Sequence, residues 1–135
     1  MICKYIINLC IGFVIFVAFI HYIFHNSVSF LILFFTSIIS VFVTVVSLTI
    51  YDWNVKEVWI KEHNPIIFEK HIKSYWNYKQ TPIRTILKLP EIQTDAEAVR
   101  RITNLISLRK NATVLVLLAF SSIPCGVLVM LFQSL

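Results

Sequence analysis

Glycine is nearly absent from this chain of 135 residues, and cysteine is scarce. Gly12 and Gly126 are its only glycines, so it contains no glycine-rich loop of the kind that cradles phosphate groups. The three cysteines have neither the paired spacing of a zinc site nor the even number of a disulfide framework. No pair of carboxylates or histidines has the spacing of an acid–base couple. We therefore predict no catalytic residues, no metal ligands, no cofactor and no small-molecule substrate, and we do not expect an enzyme.

Charged residues are also scarce: Asp, Glu, Lys and Arg together make up only 14% of the residues. Hydrophobic residues make up 58% and the mean hydropathy is +0.79, which is typical of membrane proteins. Three runs without those four residue types, at 5–24, 28–51 and 112–132, each reach the roughly 20 apolar residues that cross a bilayer. The sequence predicts an all-α integral membrane protein with three transmembrane helices. Since no run carries an acid or a strong base, ion-coupled transport is not expected.

The three runs divide the chain into segments. Only residues 25–27 separate the first two runs, so residues 1–51 are predicted to form a transmembrane helical hairpin. No small-residue cleavage pattern follows the first run, so we expect it to remain as a span and not to be removed as a signal peptide. Residues 52–111 form a polar loop, and residues 112–135 form the third transmembrane helix.

Basic residues predict the orientation of these segments. Eleven of the twelve Lys and Arg residues lie in the loop, and the twelfth, Lys4, precedes the first run. Positive charge is retained in the cytoplasm, so the loop and the N-terminus are predicted to be cytoplasmic and the C-terminus to lie outside. The predicted location is the bacterial inner (cell) membrane.

The loop is predicted to be helical and amphipathic. Asn64 and Pro65 are expected to stop a continuation of the second span. Thr94, followed three residues later by Glu97, is a capping box for a helix that runs directly into the third span. The predicted helical stretches are 52–63, 67–80 and 95–110, with an irregular or briefly helical stretch at 83–90.

Basic and aromatic side chains in the loop are the candidate contact residues. Cations are attracted to anionic lipid headgroups, and aromatic rings suit the membrane interface. The last predicted loop helix carries four cations and no acid after Glu97, so we expect these cations to be unopposed. Nucleic acid is not an expected partner, because seven acids reduce the net charge of the loop to +4. The candidates for lipid or partner contact are Trp53, Trp59, Tyr75, Trp76, Tyr78, Arg100, Arg101, Arg109 and Lys110.

Two features within the spans have more than one interpretation. Ser37, Ser40, Thr44 and Ser47 lie on one stripe of the second span, which favours helix packing and, as the alternative, a pore wall in an assembly of several copies. In the third span, Pro124 and Gly126 predict a helix kink, which favours a static bend that improves packing and, as the alternative, a hinge.

His21 and His25 lie one helical turn apart at the outer end of the hairpin. Two imidazoles do not make up a metal site, so we expect the rings to reach the interface water instead.

These patterns predict a small multi-pass membrane protein that acts by protein–protein contact. In architecture it resembles accessory or regulatory subunits of membrane complexes, and also immunity and entry-exclusion proteins of the inner membrane. The expected partners are membrane lipids with anionic headgroups and either a membrane protein or further copies of the chain. The alternative function is a homo-oligomeric small pore or holin-like channel.

Overall fold

The computed structural model describes residues 2–72 and 82–134, and their regular structure is entirely helical. The predicted contact residues Tyr75, Trp76 and Tyr78 lie outside the described residues, as does the predicted helix beyond residue 72. In chain order the elements are α1 (Ile2–Phe24), α2 (Ser27–Trp53), a first π-helical segment (Asn54–Ile60), α3 (Lys61–His63), α4 (Pro65–Ile67), a second π-helical segment (Phe68–Ile72), α5 (Ile83–Ile86), α6 (Pro90–Gln93) and α7 (Ala96–Ser134).

Three of these helices, α1, α2 and α7, are long and apolar enough to cross a membrane, as the sequence predicts. The 23 residues of α1 extend for about 35 Å, slightly more than a hydrocarbon core about 30 Å thick. The 39 residues of α7 extend for about 58 Å, which is far more than a span needs. The fold is therefore compatible with an integral membrane protein.

A tight turn joins α1 to α2. His25 has a φ of 48°, in the left-handed region, and its N–H donates to the carbonyl of His21. Asn26 then caps α2: the N–H of Ser29 donates to Asn26 Oδ1 at 2.7 Å, and the N–H of Asn26 donates back to Ser29 Oγ at 3.2 Å. These bonds satisfy backbone groups that would otherwise be exposed at the helix ends.

Contacts divide the chain into two compact units. The three-helix unit comprises Met1–Leu48 and Lys110–Leu135, and the loop unit comprises Thr49–Arg109.

The interior of the three-helix unit combines small and hydroxyl-bearing side chains with a few aliphatic ones, and its outer surface exposes large apolar side chains. Phe13, Phe16, Phe35, Phe42 and Phe120 are each more than half exposed. Small interior side chains allow helix backbones to approach closely, and exposed aromatic and aliphatic side chains suit a lipid solvent. The buried residues are Cys3, Ile7, Val14, Val17 and His21 on α1, Ser29, Leu33, Ser37, Ser40 and Thr44 on α2, and Ala112, Leu115 and Ala119 on α7.

The loop unit has its own aliphatic core, part of which comes from the two π-helical segments. In the first segment the buried residues Val55, Trp59 and Ile60 are spaced by four and then one. A π-helical register, with hydrogen bonds from i to i+5, brings residues four and five apart onto one face, so Trp59 and Ile60 are buried together. The other buried apolar residues of this unit are Ile67, Phe68, Ile72, Ile83, Ile86, Ile92, Ala98, Ile102, Leu105 and Leu108.

One of the predicted helix boundaries in the loop is reproduced, and one predicted cap is not. The helical path from α2 ends at His63, and Asn64 leaves helical geometry with a φ of −137°. The predicted capping box at Thr94 is wrong, because Asp95 is the residue that caps α7. Asp95 Oδ1 accepts from the N–H groups of Glu97 at 3.0 Å and Ala98 at 3.1 Å, whereas Thr94 donates its hydroxyl to the carbonyl of Glu91.

Candidate contact surface

The first turns of α7 carry an ion cluster around Glu97. Its Oε2 lies 2.8 Å from Arg100 Nη2, and its Oε1 lies 2.7 Å from Arg101 Nε. Because the side chains are three and four residues apart on one helix, they lie on the same face. Glu97 lies in the loop unit, before the apolar run at 112–132. The hydrogen bond from Arg100, together with the hydrogen bond from Arg101, lowers the pKa of the Glu97 carboxyl.

A second ion cluster joins two distant parts of the loop unit. Asp52 Oδ1 accepts from Arg109 Nη2 at 2.6 Å, and Asp52 Oδ2 lies 3.1 Å from Lys56 Nζ. The expectation that the basic run of α7 is unopposed is therefore wrong: Glu97 pairs with its start, and Asp52, 57 residues before Arg109, pairs with its end. Among the predicted cations, Lys110 is exposed and forms no ion pair with the described residues.

Trp59 forms the centre of a stack inside the loop unit. The imidazole of His63 lies parallel to the indole, with centroids 4.5 Å apart and an interplanar angle of 15°. The guanidinium of Arg101 lies 5.2 Å from the indole centroid, at cation–π distance. Trp59 is only 9% exposed, so its ring packs inside the unit, and it is removed from the predicted contact surface.

Two other large apolar side chains are exposed among the described residues between 52 and 109. Trp53, a predicted contact residue, is 57% exposed, and Ile66 is 80% exposed. Ile66 lies with Pro65, Glu69 and Lys70 around a shallow groove of about 460 Å³. Sequence reasoning missed Ile66, although a signal was present: Pro65 starts a helix, and its neighbours Ile66 and Ile67 project from different sides of that helix. Ile67 occupies the buried side.

We define the contact surface of the loop unit as three separately exposed side chains, which are Trp53 on α2, Ile66 on α4 and Arg100 on α7. The side chain of Arg100 is 70% exposed, despite its ion pair with Glu97. All three side chains combine large contact area with exposure, and Trp and Arg are the residue types that most often dominate protein interfaces.

The hydroxyl stripe of α2 lies in the interior of the three-helix unit. Ser37, Ser40 and Thr44 are buried and Ser47 is half-buried. Ser37 Oγ and Thr44 Oγ1 have no hydrogen-bond partner among the described residues. Their position supports the packing interpretation, because a pore between copies needs these hydroxyls at a surface of each copy.

A polar joint links α1, α2 and α7 in the three-helix unit. His21 Nδ1 lies 2.8 Å from Ser29 Oγ, and His21 Nε2 lies 3.4 Å from the carbonyl oxygen of Gly126. The expectation that His21 reaches interface water is wrong, since its side chain is buried against these two partners.

Gly126, predicted only as part of a kink with Pro124, has a packing role: a Cβ at Gly126 would lie 3.1 Å from a ring carbon of Phe30. Pro124 lies inside α7, and the helix continues past it to Ser134.

Replacing Gly126 by Ala is expected to destabilise the three-helix unit by about 1 kcal/mol, because overpacking of about 1–3 kcal/mol exceeds the helix-propensity gain of about 1 kcal/mol. Gly12 provides the matched control, since a Cβ there meets no atom within 4 Å. Gly12→Ala is expected to stabilise the unit by about 1 kcal/mol. Thermal unfolding of monomer in mild detergent measures both variants, and equal shifts would contradict the packing role of Gly126.

No family model, no curated protein and no solved structure matches the chain. Among the described residues, no three His, Cys, Asp or Glu side chains are grouped as a metal site requires.

Proposed function

We propose that this chain is an integral protein of the bacterial inner membrane that acts by protein–protein contact. Its role is that of an accessory or regulatory subunit, or of an immunity or entry-exclusion protein that engages its partner at the inner membrane. Support for membrane insertion comes from the three apolar helices, whose exposed surfaces carry large hydrophobic side chains and whose interior carries the hydroxyl groups. This arrangement suits lipid as the solvent.

The proposed orientation has the N-terminus and the loop unit in the cytoplasm and the C-terminus outside. The loop contains eleven of the twelve Lys and Arg residues, and the reverse orientation would place all twelve on the outer side. In the proposed orientation the turn at residues 25–26 and the residues after the third span lie on the outer side. The loop unit is then the part of the chain with a surface large enough for a soluble region of a partner.

The observation that carries the contact proposal is the exposure of Trp53 and Ile66, because the other large apolar side chains described between residues 52 and 109 are buried or half-buried. Exposed side chains of this size, and an accessible Arg, are typical of residues that dominate protein interfaces. The partner that fits is a membrane protein whose cytoplasmic region presents an apolar pocket and an acid for Arg100. Anionic headgroups interact with the remaining cations, of which Lys110 is one exposed example.

Substitution of the contact surface tests this proposal. Trp53→Ala, Ile66→Ser and Arg100→Glu are each expected to reduce the amount of partner that co-purifies with a tagged chain in mild detergent by about 5- to 30-fold, the effect of removing a residue that dominates an interface. Asn104→Ala is the control, because Asn104 is exposed on α7, the helix that carries Arg100, and is not part of the contact surface. Partner recovery that is unchanged in all three variants would contradict the proposal.

A further inference from the structure

The face of α1 that points away from the interior of the three-helix unit carries an asparagine and a glycine among large apolar side chains. Side chains at spacings of three and four follow this face along the whole helix, in the pattern of a seam where two helices pack with a left-handed crossing. All of them are exposed, in contrast to the buried seam on the other side of α1. The residues of the outer face are Tyr5, Asn8, Gly12, Ile15, Phe19 and Tyr22.

Asn8 is the polar residue of this face. Its side chain is exposed and makes no hydrogen bond with the described residues, although it lies within the apolar run that starts at Tyr5. An amide without a hydrogen-bond partner in an apolar medium has an unfavourable free energy, which a partner carboxamide relieves. Asn8 therefore favours any arrangement that brings a donor and an acceptor to this face.

Gly12 lies one helical turn from Asn8 on the same face. An added Cβ at Gly12 meets no atom within 4 Å, so the absence of a side chain does nothing for the packing of its own unit. Gly126, the other glycine, is required by the close approach of Phe30 and His21. A glycine on the outer surface of a membrane helix leaves a notch that allows a second backbone to come near.

We propose that the outer face of α1 pairs with the same face of a second copy of this chain. A carboxamide is both donor and acceptor, so two Asn8 side chains related by a two-fold axis form reciprocal hydrogen bonds. Copies inserted in the same orientation carry Asn8 and Gly12 at equal depth, which brings like residues together across the axis. A second copy satisfies this requirement for self-complementarity, whereas a lipid acyl chain offers Asn8 neither a donor nor an acceptor.

Association in lipid vesicles tests this pairing. Donor- and acceptor-labelled full chains are mixed in vesicles of phosphatidylethanolamine and phosphatidylglycerol, and energy transfer is measured as the vesicles are diluted with lipid. We expect Asn8→Leu to weaken association about 3- to 30-fold, the range for one membrane hydrogen-bonded pair, and Asn8→Gln to retain most of it. Gly12→Ile is expected to abolish association, because its side chain fills the notch.

The controls separate pairing from folding. Phe13→Ile changes an exposed residue of α1 outside the seam, so its association should equal that of the unsubstituted chain. Helical content measured by circular dichroism should be the same in all variants, since neither Asn8 nor Gly12 contributes to the interior of the unit. The unsubstituted chain remaining monomeric in vesicles would overturn the proposal, as would association that Asn8→Leu and Gly12→Ile leave unchanged.

Discussion

Replacing Trp59 by Ala should destabilise the loop unit by about 3–5 kcal/mol, the range for truncating a buried aromatic residue. The indole packs between the imidazole of His63 and the guanidinium of Arg101, so its loss leaves a cavity and removes a cation–π contact. Arg101 is also bonded to Glu97, and the substitution thus loosens the start of α7. Hydrogen exchange of the loop amides, measured in mild detergent, should be faster in this variant, by the factor that corresponds to the decrease in the free energy of unfolding of the loop unit.

Trp53→Ala is the control for this prediction. Trp53 is more than half exposed, so its truncation should change the free energy of unfolding by less than about 0.5 kcal/mol. Its effect should appear in partner recovery instead. Equal loss of protection in the Trp53 and Trp59 variants would contradict the assignment of one tryptophan to the interior and the other to the contact surface.

Combining Ser37→Ala with Thr44→Val should stabilise the three-helix unit, in contrast to most substitutions of buried residues. Both hydroxyls are buried and without hydrogen-bond partners among the described residues. Removing a buried polar group that has no partner recovers its desolvation free energy, about 1–3 kcal/mol for each group. Valine also has nearly the shape of threonine, so no cavity forms at position 44. The melting temperature in mild detergent is expected to rise.

The same double variant separates helix packing from a pore. If the stripe packs helices together, the variant is more stable and keeps its function, and Ser47→Ala, at a half-buried position, leaves stability unchanged. If the stripe lines a pore between copies, the variant loses conductance in planar bilayers. A loss of stability together with a loss of conductance would contradict the packing interpretation.

The long helices were predictable from the sequence because their cause is local. Uncharged apolar runs of sufficient length determine α1 and α2, and no residue outside each run is needed to predict it. The capping residue of α7 was harder to predict, because Thr94 and Asp95 are adjacent and both types can cap a helix. Only the backbone geometry distinguishes them, and in the structure the carboxylate of Asp95 accepts the two N–H groups.

The features that sequence reasoning missed depend on contacts between distant residues. Asp52 and Arg109 are 57 positions apart, so no local pattern indicates that they pair. The packing role of Gly126 depends on Phe30 and His21, which belong to the helical hairpin about a hundred residues earlier. The π-helical register at Val55 and Ile60 likewise follows from what the core of the loop unit buries, since residue propensities do not distinguish it from an α-helix.

Reporter fusions measure the central claim, which is that the chain crosses the membrane three times with the loop unit in the cytoplasm. Green fluorescent protein folds only in the cytoplasm in this assay, and alkaline phosphatase is active only outside. Fusion after Thr94 should give fluorescence without phosphatase activity, whereas fusion after Leu135 should give phosphatase activity without fluorescence. Phosphatase activity at Thr94, or fluorescence at both positions, would contradict the account.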